Sequence, residues 1–124
     1  MLQGDSQEVV GAWGGASASD ADRCARVHRT LRRIVKARGA LDASEAAALR
    51  EAQDVKIWRA YGYASLIEYL EIEMGYTPRV ALERLRVATA IEELPAIGEA
   101  MSQGELSFSA ARELTSHRDS LGAR

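Results

Sequence analysis

The sequence predicts an all-α fold, a compact bundle of about six short helices. Apolar residues recur at helical spacing along most of the chain, and no segment alternates apolar and polar residues over a convincing length. Clusters of Val, Ile and Thr of the kind that form strands are also absent. With 124 residues, the chain is long enough for one core and too short for two independent cores.

The two ends of the chain differ from its middle. Residues 1–20 are rich in Gly, Ser and Ala and carry no sustained period, which predicts a disordered tail. Helical periodicity then extends over residues 21–118, the predicted helical domain, and residues 119–124 are expected to form a frayed C-terminus.

Capping and breaking signals predict where each helix begins and ends. The first helix is expected to stop at Gly39, because glycine enters the left-handed conformation without steric cost. Capping boxes at Asp42 with Glu45 and at Ser65 with Glu68 predict the next two starts. The fourth, fifth and sixth helices are opened by Thr77-Pro78, Pro95 and Ser107. These signals place helices at about 22–38, 42–61, 66–74, 78–94, 96–103 and 108–117.

Charge is distributed unevenly. The formal net charge is -2, yet residues 22–38 hold seven basic residues against one acidic residue, for a local charge of +6. On a helical wheel the apolar residues of this segment fall on one side and most of the cations fall opposite. Such a face can neutralise phosphates, so we expect nucleic-acid contacts from Arg26, Arg29, Arg33 and Lys36. The alternative is a face that is only solvated, or paired with the acidic helices that follow.

A helix-turn-helix spacing lies near the C-terminus. Ala100 precedes the turn residue Gly104 by four positions, and Ser107 is placed to cap the next helix. An alanine permits close helix approach and a glycine makes the tight turn, which is the skeleton of this DNA-binding motif. We expect Ser107, Ser109 and Arg112 to approach base edges or the DNA backbone.

Five aromatic residues straddle two predicted helix junctions. Base stacking is one interpretation of such a group. The stronger interpretation is that large side chains wedge neighbouring helices together. The residues are Trp58, Tyr61, Tyr63, Tyr69 and Tyr76.

The sequence offers no chemistry for catalysis. Its single cysteine, Cys24, cannot form an intramolecular disulfide or a thiolate metal site, and His28 and His117 have no ligand-spaced partners. No glycine-rich phosphate loop occurs. We therefore expect no enzyme activity, no metal, no cofactor and no small-molecule substrate. The absence of a membrane-length apolar run or a signal peptide predicts a cytoplasmic protein without membrane partners.

The segment from Tyr61 to Thr115 resembles the helical domain that precedes the nuclease domain of bacterial HNH endonucleases. The resemblance is carried by GYASLIEYLE, GYTPRVALERLRVA, the ELP break and GELSFSAARELT, which together cover about half of the chain. The last of these motifs is also similar to the helix-turn-helix region of ParB-type partition proteins, which bind DNA. The chain carries no His-Asn-His constellation and no zinc-knuckle cysteines, so the resemblance does not imply cleavage.

These observations predict a non-catalytic module that binds or positions DNA. The alternative is a helical protein-interaction or dimerisation module, with a second copy or another protein as the partner.

Overall fold

A computed structural model of the chain describes residues 17–122, with side chains described from residue 17 to residue 116. This part of the chain forms six helices and no strand, which confirms the all-α class. The predicted tail 1–20 lies mostly outside the described residues, and the first helix begins at Ala18. The last helix continues to Gly122, through most of the segment predicted to fray. The helices are α1 (Ala18–Val55), α2 (Ile57–Ala60), α3 (Leu66–Met74), α4 (Pro78–Glu93), α5 (Pro95–Ser102) and α6 (Phe108–Gly122).

The predicted break at Gly39 is wrong, because α1 runs through it as one helix of 38 residues. Gly39 is buried, and a Cβ atom added there would lie 2.6 Å from the backbone oxygen of Met101 and 3.5 Å from Cα of Gly104. A residue without a side chain is therefore needed at position 39, because α1 and the end of α5 approach each other closely there. Asp42 and Glu45 consequently cap nothing, since they lie inside α1.

The real end of α1 is a backbone reversal at Lys56. This residue has φ 55° and ψ 53°, the left-handed conformation, and it separates Val55 from the single turn of α2. A lysine in this conformation is uncommon, and the sequence carries no glycine, asparagine or proline there to announce it.

The later boundaries agree with their sequence signals. The Ser65 hydroxyl accepts a 3.1 Å hydrogen bond from the Glu68 N–H, and α3 ends at Gly75 with φ 72°. The Thr77 hydroxyl accepts a 3.2 Å bond from the Val80 N–H, just ahead of Pro78 in the first turn of α4. Side-chain caps of this kind satisfy backbone donors that a helix start leaves open.

The chain divides into two contact units, residues 1–34 and residues 35–124. The described part of the first unit is a single helical stretch of α1, and all its residues except the half-buried Cys24 and Thr30 are exposed. The second unit holds the hydrophobic core, in which α4 packs against α3, α5 and α6. The best-buried residues of the core are Leu49, Leu70, Ala81, Val87, Ala88, Ala90, Met101, Ala111 and Thr115.

Arg84 ties three helices of the second unit together. Its Nη1 donates a 2.8 Å hydrogen bond to Asp42 of α1 and lies 3.6 Å from Glu45. Its guanidinium carbon also lies 3.7 Å from the centre of the Phe108 ring in α6. The position of α6, which holds the predicted contact residues Ser109 and Arg112, is therefore coupled to α1 through one side chain.

Candidate nucleic-acid interface

The basic face of α1 is open to solvent. Arg26, Arg29, Arg33 and Lys36 are all exposed, and none of them forms an ion pair among the described residues. The contact found for this group is local: Arg33 Nη2 donates a 3.3 Å hydrogen bond to the Thr30 hydroxyl. Pairing of these cations with the acidic helices, the alternative left open by the sequence, does not occur in this part of the chain.

Acidic residues of the second unit are paired with other arginines. Arg50 lies 2.6 Å from Glu92, Arg84 lies 2.8 Å from Asp42, and Arg86 lies 2.8 Å from Glu83. These arginines are half-buried between helices, and they hold the scaffold together. The cations of the basic face and these structural arginines are thus two separate groups.

Lys36 borders the turn of the predicted helix-turn-helix. A Cβ atom added to Gly104 would lie 2.8 Å from both Cα and Cβ of Lys36, so the turn is seated directly on the start of that side chain. Gly104 also has φ 77°, which favours glycine at this position for a second, conformational reason. Lys36 therefore lies next to the turn, and its exposed charge is on the same surface as the turn.

The predicted helix-turn-helix pair consists of α5, the turn 103–107 and α6. The turn is closed by hydrogen bonds from the Gly104 N–H to the Met101 carbonyl at 2.9 Å and from the Glu105 N–H to the Ala100 carbonyl at 2.8 Å. Ala100 is half-buried. The two helices pack against each other, with the buried Met101 on the inside.

The three predicted contact residues at and just before the start of α6 lie at the surface. Ser107 caps the helix, because its hydroxyl accepts a 3.1 Å hydrogen bond from the Ala110 N–H. Ser109 and Arg112 are exposed. The main chain of Arg112 is held in place, since its carbonyl oxygen accepts hydrogen bonds from Arg86 at 3.3 Å and from the buried Thr115 hydroxyl at 3.2 Å. The Arg112 side chain thus projects from a fixed backbone.

Sequence reasoning missed a cluster of arginines around Glu83. Arg79 and Arg86 lie on α4 one turn to either side of Glu83, and Arg112 adjoins them from α6. The hydrogen bond from Arg86 lowers the pKa of Glu83, and the charges of Arg112 and Arg79 lower it further. Arg79 is exposed and adds a cation near Glu83. The signal was available as the spacing 79, 83, 86, which places three charges on one face of a helix.

The aromatic group is occupied by contacts between helices. Trp58 packs on the core, and the Tyr63 and Tyr69 rings meet edge to face with centroids 5.6 Å apart. The Tyr76 hydroxyl donates a 2.7 Å hydrogen bond to Glu45, and burial together with this bond raises the pKa of Tyr76 to about 12. Tyr61 is the exposed member of the group, at 67%. The group therefore serves mainly to wedge helices.

Neither a metal-binding cluster nor a membrane-spanning helix occurs among the described residues. No group of three or more His, Cys, Asp or Glu side chains is placed to hold a metal ion among them. Cys24 is a free, half-buried thiol, and the side chain of His117 lies outside the described range. None of the described helices is long and apolar enough to span a bilayer.

A family model described as a domain of unknown function (DUF222) matches residues 28–123. This range takes in most of α1 and all the helices that follow. No curated protein and no solved structure matches the chain.

Proposed function

The chain belongs to the DUF222 family, and from that premise we propose that it is a non-catalytic module that binds or positions DNA. The proposal rests on the exposed basic residues of α1 in the first unit, Arg26, Arg29 and Arg33, and separately on Lys36, which lies beside the turn of the helix-turn-helix in the second unit. The resemblance of residues 61–115 to the helical domain that precedes bacterial HNH nuclease domains supports a positioning role.

The first proposed role, contact with DNA phosphates, belongs to the arginines of α1. Arg26, Arg29 and Arg33 are exposed and have no acidic partners in the described part of the chain. They can therefore contact DNA phosphates and release the counterions that are condensed on the DNA. Such contacts orient a protein on DNA without reading its sequence. Binding of this kind is strong at low salt and falls steeply as salt is added.

The second proposed role, positioning the protein along the DNA, belongs to the start of α6. Arg112 and Ser109 are exposed there, and the Arg112 carbonyl is held by Arg86. Arg79 lies two turns before Arg86 on α4. Phosphate contacts would supply most of the affinity. One or two contacts from these side chains to base edges or to the DNA backbone would then fix the position of the protein along the DNA. The net charge of -2 means that affinity depends on this local arrangement.

Fluorescence anisotropy with a labelled duplex of about 20 base pairs tests the proposal across a salt series. We expect the wild type to bind at low salt and to lose affinity linearly on a double logarithmic plot, with a slope of about -0.9 for each phosphate contact. Arg29→Glu and Arg33→Glu are expected to weaken binding several-fold each, and Lys36→Gln to reduce the slope by about one.

Arg59→Glu is the matched control, because Arg59 is exposed on α2 and the substitution makes the same change of net charge. It should leave affinity close to that of the wild type. The absence of salt-sensitive binding by the wild type, or an equal loss from Arg59→Glu and Arg29→Glu, would overturn the proposed function.

A further inference from the structure

The side of α1 opposite its basic face is apolar and uncovered. Val27, Leu31 and Ile34 are 52%, 54% and 41% exposed, although all three are large hydrophobic residues. With the half-buried Cys24 they follow the spacing 24, 27, 31, 34 along one continuous helix. Alternating steps of three and four residues form the a and d positions of a coiled coil, and an exposed seam of this kind is typical of a helix that packs on another helix. We call these four residues the α1 seam.

We propose that the α1 seam binds the α1 seam of a second copy of this chain, in antiparallel orientation. A two-fold axis at residue 29 brings Cys24 opposite the partner's Ile34 and Val27 opposite the partner's Leu31. Each layer then joins a smaller and a larger side chain, and the same patch serves both copies, as a two-fold interface requires.

Charge complementarity selects the second copy and fixes its direction. The heptad continues by one step at each end of the seam, to the exposed residues Asp20 and Arg38. In the antiparallel pair each Asp20 faces the partner's Arg38, which gives two ion pairs that close the ends of the seam. A parallel pair would instead oppose two aspartates at one end and two arginines at the other.

The residues that flank the seam also tolerate an antiparallel pair. The flanking positions of an antiparallel pair meet slightly off this axis, so Arg23 lies nearest the partner's Ala37 and Thr30 nearest the partner's Thr30. No two arginines oppose each other. The basic face, Arg26, Arg29, Arg33 and Lys36, points away from the partner on the wheel and stays free. Self-association and DNA binding therefore use different faces of α1.

The contact is short. Residues 20–38 span about 27 Å of helix, which buries less than the roughly 800 Å² per partner of a standard interface. The dimer is accordingly weak, and its population depends on protein concentration over the micromolar range.

Disulfide trapping tests the register directly. Cys24 is the chain's single cysteine, so Ile34→Cys adds one thiol opposite it in the antiparallel pair. We expect mild oxidation to convert this variant to a covalent dimer on a non-reducing gel. Positions 24 and 34 of one copy lie about 15 Å apart along the helix, too far for an internal disulfide. Arg33→Cys, on the opposite face, is the matched control and should remain monomeric.

Other gel patterns would overturn the proposal. Equal trapping of Arg33→Cys would indicate random collision, and equal trapping of the wild type through Cys24 alone would indicate a parallel pair. No trapping of Ile34→Cys at any concentration would exclude the register.

Sedimentation velocity on the full chain tests the charge pairs. We expect concentration-dependent dimers from the wild type, about tenfold weaker association from Asp20→Arg, and recovery when Arg38→Asp is added. Leu31→Glu should be monomeric with an unchanged circular dichroism spectrum, because Leu31 is exposed in one copy.

A wild type that stays monomeric throughout, or a double exchange that fails to recover, would contradict the pairing. So would a monomer that binds vesicles of anionic lipid through Leu31. None of these outcomes bears on salt-sensitive DNA binding, which the basic face determines.

Discussion

The guanidinium carbon of Arg84 lies over the Phe108 ring, 3.7 Å from its centre. The same group is hydrogen-bonded to Asp42 at 2.8 Å, so one half-buried cation joins α1, α4 and α6.

Replacement of Arg84 should therefore destabilise the second unit. Arg84→Met leaves Asp42 and Glu45 close together without their cation, and we expect a loss of about 2–3 kcal/mol in the free energy of unfolding. Arg84→Lys keeps the charge but loses the planar contact, so its loss should be about half as large. Urea denaturation measures both. Arg59→Met, at an exposed position, is the control and should change stability by less than about 0.5 kcal/mol.

Gly39→Ala should destabilise the chain, although the same substitution in most helices stabilises it. An alanine in a helix interior is favoured over glycine by about 1 kcal/mol. Here the new Cβ would lie 2.6 Å from a backbone oxygen of Met101, which cannot move without shifting the turn. We expect a net loss of about 1–3 kcal/mol in chemical denaturation. Gly98→Ala is the comparison, because the atom close to it is a side-chain atom, Cγ2 of Ile91, and not a backbone atom. A gain in stability from Gly39→Ala would refute the close approach.

Tyr76 should keep its hydroxyl proton to a higher pH than an ordinary tyrosine. Burial and the hydrogen bond to Glu45 raise its pKa to about 12 from the ordinary 10.0, so the folded state retains this proton when the unfolded chain has released it. The contribution of Tyr76 to stability is complete below pH 10 and is lost as the pH rises from there to about 12. Glu45→Gln removes a negative charge and should lower the pKa of Tyr76. Ultraviolet titration, with Tyr76→Phe to assign the signal, would show no difference if this interpretation were wrong.

Glu83→Gln should strengthen DNA binding if the arginine cluster contacts phosphate. The carboxylate of Glu83 opposes the charges of Arg79, Arg86 and Arg112, and its lowered pKa keeps it ionised at neutral pH. Its neutralisation leaves more positive charge for the ligand, and we expect affinity at low salt to rise about two- to fivefold. Glu71→Gln on α3 makes the same charge change and should have a smaller effect. Equal effects of the two variants would place DNA elsewhere.

The two roles of Ser107 can be separated by a pair of substitutions. Ser107→Ala removes the cap of α6 and should cost about 1 kcal/mol of stability. Ser107→Asp keeps a capping oxygen but adds a negative charge near the predicted contact surface. It should retain stability and lose DNA affinity, as measured by thermal denaturation and anisotropy. If Ser107→Asp binds DNA as well as the wild type, Ser107 lies away from the DNA.

Local chemistry explains which boundaries the sequence could predict. Ser65, Thr77 and Gly104 act on backbone atoms within three or four residues, so their effect is written in the neighbouring sequence. Gly39 looks the same in sequence, but glycine is needed there because of the contact with Met101, which is more than sixty residues away in the chain. A helix-ending glycine and a glycine at a helix crossing cannot be told apart without the fold.

The candidate site was predictable in composition but not in exposure. The basic stripe could be found by its spacing, and so could the arginines that turned out to be structural. The sequence does not reveal that Asp42 pairs with Arg84 and that Glu45 accepts a hydrogen bond from Tyr76. These contacts make the two acidic residues unavailable to the basic stripe. Which acid meets which base is decided by tertiary contact.

The seating of the turn at Gly104 on Lys36, with Gly39 close by, also fixes how residues may be counted along α1. One inserted residue turns everything beyond it by about 100° around the helix axis. An insertion between Gly39 and Asp42 would therefore separate the glycine crossing from the acid that meets Arg84, and the second unit would have to give up one of them. The same insertion ahead of Lys36 would leave both contacts in place. The length of this helix is thus constrained in its downstream half and adjustable in its upstream half.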